Sequence, residues 1–180
     1  MEVTKTQIEG LLILNPRVFE DDRGYFYESF NKDAFTEAGI TSEFVQTNVS
    51  QSCKDVVRGL HFQRPPFAQG KLVRVLRGAV LDVAVDLRKK SPTYGQYHIE
   101  EISEHNKKAF WVPPGFAHGF RTLEDNTLFH YNCTAAYNKE SEGSILWNDP
   151  NLNIDFGLDS PLLSEKDKVG TLFAKFTSPF

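Results

Sequence analysis

The sequence predicts an all-β protein, a sandwich or jelly-roll barrel with a few short helices. Three observations carry this. Short runs rich in β-branched and aromatic residues recur along the chain. Gly and Pro punctuate those runs at short intervals, as expected where many strands are joined by turns. Aromatic residues make up 13% of the chain, with fifteen Phe, and favour strands and aromatic-lined cavities. No internal repeat, low-complexity tract or Gly/Ser/Pro linker interrupts the 180 residues, so they are read as one domain over 1–180, long enough for a sizeable core.

The elements follow in chain order. "GYFYESF" (24–30) is a strand candidate. Asn31 then caps a helix over "KDAFTEA" (32–38), and Gly39 ends it. "FVQTNVS" (44–50) is extended, as are the runs at the two ends of "VVRGLHFQRPPFAQGKLVRVLRG" (56–78). In "AVLDVAVDL" (79–87), Leu81, Val83, Val85 and Leu87 alternate with Asp82, Ala84 and Asp86, a period of two. "AFWVPPGFAHGF" (109–120) reads as strand. "TLFHYNCTA" (127–135) puts Phe129, Tyr131 and Cys133 on one face and His130 and Asn132 on the other. "LSEKD" (163–167) suggests a second short helix and "TLFAKF" (171–176) a last strand.

Composition narrows the function. The net charge is −4 and no basic stripe is present, which argues against nucleic acid as a partner. The apolar run "LLIL" (11–14) is too short for a signal peptide or a membrane span. Cys53 and Cys133 lie far apart and outside any CxxC pattern, which suits a reducing cytoplasm. There is no GxGxxG and no P-loop.

Four groups could carry chemistry. The five histidines (His61, His98, His105, His118, His130) form no HxH or HxxxH pair, and Lys71 downstream of "HFQ" would repel a divalent cation, so no metal is expected. Arg23, Arg58, Lys71 and Lys166 sit in Gly-, Pro- and aromatic-rich surroundings and suit a phosphorylated ligand with a flat ring. His61 is a candidate base, its tautomer to be fixed by a carboxylate that spacing does not identify. Tyr131 becomes a candidate acid if something lowers its pKa. On spacing alone, a structural strand histidine and a catalytic one both remain open for His61.

The segments "FEDDRGYFYESF" (19–30), "FVQTNVSQS" (44–52), the long block 56–95, "WVPPGFAHGF" (111–120), "YNCTAAYNKESEGSILWNDP" (131–150) and "LLSEKDK" (162–168) run in one order across most of the chain. Together they resemble the dTDP-4-dehydrorhamnose 3,5-epimerase family. The resemblance implies a cupin-type jelly roll that works without metal or other cofactor. It implies inversion at C3 and C5 of dTDP-4-keto-6-deoxy-D-glucose through an enolate, in dTDP-L-rhamnose biosynthesis. His61 matches the family's base, Asp167 the carboxylate that orients it, Lys71 the cation at the C4 oxygen and Tyr131 the opposite-face acid. Arg23, Glu28, Gln46, Asn48, Arg58, His118, Glu142 and Lys166 match positions that contact the nucleotide-sugar, and Tyr137 matches the aromatic that stacks on thymine. A homodimer is implied, in which Arg23 and Glu28 act across the interface. Thr47 stands where the resemblance would place an acidic residue.

Three rivals have discriminating features. A mono-epimerase of C3 or C5 would incorporate one deuterium rather than two. A metal-dependent cupin oxygenase would want HxH and a Glu where "HFQ" and Lys71 stand. A non-catalytic sugar-binding cupin has no use for a base and an opposed acid together.

Overall fold

The computed structural model describes residues 1–180. Turn residues cut the chain into thirteen strands: β1 (Glu2–Lys5), β2 (Leu12–Asn15), β3 (Val18–Asp21), β4 (Gly24–Tyr27), β5 (Gln46–Ser52), β6 (Val57–Gln63), β7 (Lys71–Arg77), β8 (Ala79–Asp86), β9 (Tyr97–Ser103), β10 (Ala109–Val112), β11 (Phe116–Thr122), β12 (Thr127–Cys133) and β13 (Glu142–Ser144). All neighbours within a sheet pair antiparallel. One sheet has the order β1-β2-β10-β7-β12-β5, the other β13-β6-β11-β8-β9, and β3 and β4 form a separate hairpin. This is the all-β jelly roll that the strand pattern and the resemblance predict.

The two sheets face each other across a core built from Ile13, Val73, Val75 and Phe129 on one side and Val80, Ala84, Phe116 and Phe120 on the other. A second cluster covers the back of the five-stranded sheet: Val57, Leu60, Val83, Val85 and Leu87 pack under Ile145, Leu152 and Phe156 and, from the C-terminal tail, Phe173, Phe176 and Phe180. Both faces of β8 are therefore buried. Its period-two pattern separates two interiors rather than inside from water, and Asp82 and Asp86 are fully buried. A third cluster lies on the outer face of the six-stranded sheet, where Leu14, Leu72, Ala109 and Trp111 are covered by Phe35 of α1 (Lys32–Glu37). The Asn31 side chain accepts from the N–H groups of Asp33 and Ala34, as the sequence predicts, and Gly39 follows the helix at φ +87°.

Three sequence expectations are corrected. The run 109–120 is two strands, β10 and β11, parted at Pro113 and Pro114, which have no N–H to give to a ladder. Over 163–167 there is a turn stitched by Ser164, and the helical piece is a single 3-10 turn at Asp167–Val169. "TLFAKF" is not a strand: Thr171 makes one bridge to Ile145 and the chain then coils through a 3-10 turn at Phe173–Lys175. Its aromatic residues serve the second core cluster, where β-propensity is irrelevant. The sequence reading also passed over β1, β2, β3, β9 and β13, which are short or polar on one face.

Asp86 shows how a buried charge is retained. Its carboxylate accepts from the Arg88 guanidinium at 2.9 and 2.7 Å, from the Arg88 N–H at 2.9 Å, and from Ser91 and Thr93 hydroxyls at 2.6 and 2.7 Å. Burial would raise its pKa, but these donors outweigh it and lower the pKa from 3.8 to about 2. A depressed folded-state pKa stabilises the fold above the unfolded value, and that stability is lost as pH falls from 3.8 towards 2. Asp86→Asn is expected to lower the unfolding free energy by about 2 kcal/mol at neutral pH. The deficit relative to the parent should shrink towards pH 2, as read by denaturant melts across pH. A deficit that does not change with pH would refute the assignment.

Candidate active site

A cavity of about 280 Å³ opens between the sheets, lined by Ser50 (β5), Arg58 and His61 (β6), Lys71 (β7), His118, Gly119 and Phe120 (β11), Phe129 and Tyr131 (β12), and Ser164, Lys166 and Asp167 from the C-terminal segment. Arg58 and His61 are three residues apart, and in a regular strand they would point to opposite faces. Both line the cavity because the β6–β11 register shifts between His118 and Phe120. The shift depends on close backbone contact. Gly59 sits at φ +137°, and a Cβ there would lie 2.5 Å from the Gly119 Cα. An irregularity of this kind re-aims side chains at a site.

His61 Nε2 lies 2.6 Å from Asp167 Oδ1. The other Asp167 oxygen accepts from the Ser164 hydroxyl at 2.6 Å, and the Gly59 N–H reaches Oδ1 at 3.4 Å. Burial would raise the Asp167 pKa, but the bonds from His61, Ser164 and Gly59 hold it below the usual carboxylate range. An ionised Asp167 accepts Nε2–H, so neutral His61 carries its lone pair on Nδ1, which makes no hydrogen bond within the chain.

Tyr131 and Lys71 stand on the other sheet. Lys71 pairs across β7–β12 with Cys133, two residues beyond Tyr131 on the same face, which puts its Nζ 5.9 Å from the Tyr131 ring centroid. The Lys71 ammonium makes no hydrogen bond within the chain. Burial pushes its pKa down, and the charges of Cys133, Asp82 and Glu142 oppose that. The Tyr131 phenol is pushed up, chiefly by burial and also by Cys133. The lowered pKa that the sequence reading asked of Tyr131 is not found: burial keeps the phenol protonated.

His118, on β11, hands Nε2 to Asp82 Oδ1 at 2.7 Å. Arg58 donates through Nε and Nη2 to Ser52 Oγ at 3.2 and 3.1 Å. The remaining candidates gather at the rim. Glu142 ion-pairs with Lys166 and accepts from the Tyr137 hydroxyl at 3.1 Å. The Tyr137 N–H donates to Gln46 Oε1 at 2.8 Å, and Gln46 donates to Asn48 at 3.0 Å. Tyr137 is 54% exposed, so its ring is open to a stacking partner. Thr47 lies on the opposite face of β5, exposed and bonded to Asn132 at 2.7 Å, away from Gln46 and Asn48.

Arg23 and Glu28 are not brought to the cavity by their own chain. Arg23 sits at the tip of the β3–β4 hairpin, bonded to Asp21, and Glu28 is exposed just beyond it. Sequence reasoning missed Asp82, Ser50 and Ser164. For Asp82 the signal was present, a carboxylate in the middle of a largely apolar strand, but alternation reads it as facing water. Ser50 and Ser164 carry no signal in a single sequence. Nowhere in the chain do three His, Cys, Asp or Glu side chains converge as a metal ion would require.

The chain matches the family model described as dTDP-4-dehydrorhamnose 3,5-epimerase over residues 5–175. It is 51% identical to the dTDP-4-dehydrorhamnose 3,5-epimerase of Shigella flexneri, with 96% of each chain covered. It is 52% identical to that of Pseudomonas aeruginosa, with 97% of each covered. Its fold superposes with a TM-score of 0.94, at 48% identity and covering 98% and 94% of the two chains, on the Legionella pneumophila dTDP-6-deoxy-D-glucose-3,5-epimerase solved in complex with dTDP-4-keto-L-rhamnose.

Proposed function

The chain belongs to the dTDP-4-dehydrorhamnose 3,5-epimerase family, and from that premise we infer how this cavity inverts C3 and C5 of dTDP-4-keto-6-deoxy-D-glucose to give dTDP-4-keto-L-rhamnose. The observation that carries the reading is the opposition of the two walls. The His61–Asp167 pair comes from the five-stranded sheet side, and the Tyr131 phenol from the six-stranded sheet. C3 and C5 both neighbour the C4 ketone, so each loses its proton once the enolate is stabilised. His61 takes the proton into its Nδ1 lone pair and Asp167 stabilises the imidazolium. The electron pair moves to the C4 oxygen, where the Lys71 ammonium, free of internal partners, offsets the charge. Tyr131 delivers a proton from the other face; the His61 imidazolium then gives its proton to solvent and the phenolate recovers one, so both groups are reset for the second centre. Configuration inverts because the proton leaves by one wall and arrives from the other.

The cavity, about 280 Å³, lies at the low end of small-ligand pockets, roughly 300–1,000 Å³. It suits the sugar, with the nucleotide lying along the rim. Arg58 and Lys166 serve the diphosphate, Tyr137 the thymine face, and Gln46, Asn48, His118 and Glu142 the remaining polar contacts. The β3–β4 hairpin pairs only with itself and exposes Phe19, Tyr25 and Phe26. That supports a homodimer in which Arg23 and Glu28 complete the partner's site. The whole chain acts as one domain. Cytoplasmic residence fits the exposed free Cys53 and the nucleotide-sugar substrate, and no helix is long and apolar enough to cross a membrane.

Incubation with dTDP-4-keto-6-deoxy-D-glucose in deuterated water tests this. Two deuterons, at C3 and C5 of an inverted product, are expected by NMR. One deuteron would make the chain a mono-epimerase, and none would overturn the reading.

A further inference from the structure

A second His–Asp pair, which the proton transfers do not use, stands at the cavity wall, with His118 lining it and Asp82 buried behind. Asp82, on β8, is fully buried; one carboxylate oxygen takes His118 Nε2 and the other, Oδ2, has no hydrogen-bond partner. A buried acceptor left without a donor is costly, and native folds seldom keep one without use. His118 lines the cavity, and its second nitrogen, Nδ1, makes no hydrogen bond within the chain. Lys71 lines the same cavity with its three donors free.

We propose that Asp82 is a positioning residue: its carboxylate fixes His118 as the Nε2–H tautomer, so that Nδ1 accepts a hydroxyl hydrogen of the sugar, and its unpartnered oxygen is a counter-charge to the Lys71 ammonium. The inference rests on the role of Lys71 at the enolate oxygen. The two assignments are linked by charge. A carboxylate bonded to Nε2 forces the lone pair of a neutral imidazole to Nδ1. The second oxygen, with no donor of its own, leaves its negative charge to act on the nearby ammonium through a site of low dielectric.

Lys71 is faced by Tyr131 and Cys133 from β12, His118 from β11, Arg58 and His61 from β6, Glu142 from β13, and Lys166 and Asp167 from the C-terminal segment. Among the carboxylates, Glu142 is committed to Lys166 and Asp167 to His61. Asp82 is bonded to His118 through one oxygen only. Burial pushes its own pKa up, and His118 and Lys71 oppose that. Burial pushes the Lys71 pKa down, and Asp82, after Cys133, opposes that.

The experiment is the pH profile of kcat and KM for the parent, Asp82→Asn and Asp82→Glu, with folding checked by circular dichroism. Lys71 must be protonated to act, so activity falls as pH rises through its pKa. Removing the neighbouring negative charge moves that alkaline limb to lower pH, by about one unit or more. Asp82→Glu keeps the charge and should keep the limb, whatever it costs in packing. An Asp82→Asn limb that coincides with the parent's, or a uniform loss of kcat at every pH, would overturn the proposal. The tautomer is read in the parent by ¹⁵N NMR of His118, so the test survives an Asn variant that fails to fold. Nε2–H with a bare Nδ1 is expected, and a protonated Nδ1 refutes the assignment. If the parent itself takes up no deuterium from solvent, the epimerase reading fails. If the parent is active and the Asp82→Asn limb does not move, only this inference does.

Discussion

Lys71→Ala will slow epimerisation by at least about a thousandfold, the upper range for loss of one oxyanion-stabilising donor. A full charge in a water-poor cavity is worth at least as much as a neutral donor. Lys71 is the cation in the cavity with no internal partner: Arg58 is bonded to Ser52, and Lys166 is paired with Glu142. Nothing else stands ready to take the developing charge at the C4 oxygen. The enolate is common to both centres, so deuterium uptake at C3 and C5 should fall together with inversion. Ground-state binding should change much less, because the interaction strengthens as the oxygen becomes anionic. The measurement is a proton NMR time course with kcat and KM resolved separately. A variant within tenfold of the parent in kcat would remove Lys71 from the oxyanion role. Lys71→Arg keeps the charge but not the reach or shape, and should recover part of the loss.

Much of the fold was legible because strands, turns and the capped helix each leave local signals. Asn31 and Gly39 bounded α1 correctly, whereas the run 109–120, read as one strand, is two, because the double proline at 113–114 breaks it between β10 and β11. What local signals do not report is which face a third layer will cover. Asp82 and Asp86 look like the wet side of an amphipathic strand until the tail of the chain, with Phe173, Phe176 and Phe180, is seen to bury the other side. The same tail was misread as a strand because aromatic residues favour both sheets and packed coils. In the site, His61 was visible as a candidate, but its carboxylate lies 106 residues away along the chain. Only the family resemblance linked His61 to Asp167. The pairing of Arg58 and His61 on one wall was beyond periodicity altogether, since it depends on the shift at Gly59 and Gly119 that breaks the period-two rule.

The opposed walls also imply that exchange and inversion can be separated. Tyr131→Phe removes one hydroxyl and leaves the ring, which packs on Phe129 at 5.9 Å between centroids and lies beneath the Lys71 ammonium. His61, Asp167 and Lys71 are untouched, so the proton can still be taken and the enolate still held. With no donor on the far face, His61 returns a proton to the face it came from. In deuterated water the variant should therefore wash deuterium into recovered substrate with its configuration retained. The inverted product should fall by about 10² to 10⁴, the range for loss of a general acid. His61→Asn behaves differently, because no enolate forms: exchange and inversion should both fall by about 10² to 10⁴. Because the Tyr131 phenol is held above its ordinary pKa by burial, it stays protonated in the resting enzyme, and its loss should not be mimicked by moderately alkaline pH. NMR of recovered substrate and product from both variants decides the matter. If Tyr131→Phe still inverts at the parent rate, the proton on the far face comes from water or another group. If His61→Asn still exchanges at the parent rate, the base is elsewhere in the cavity.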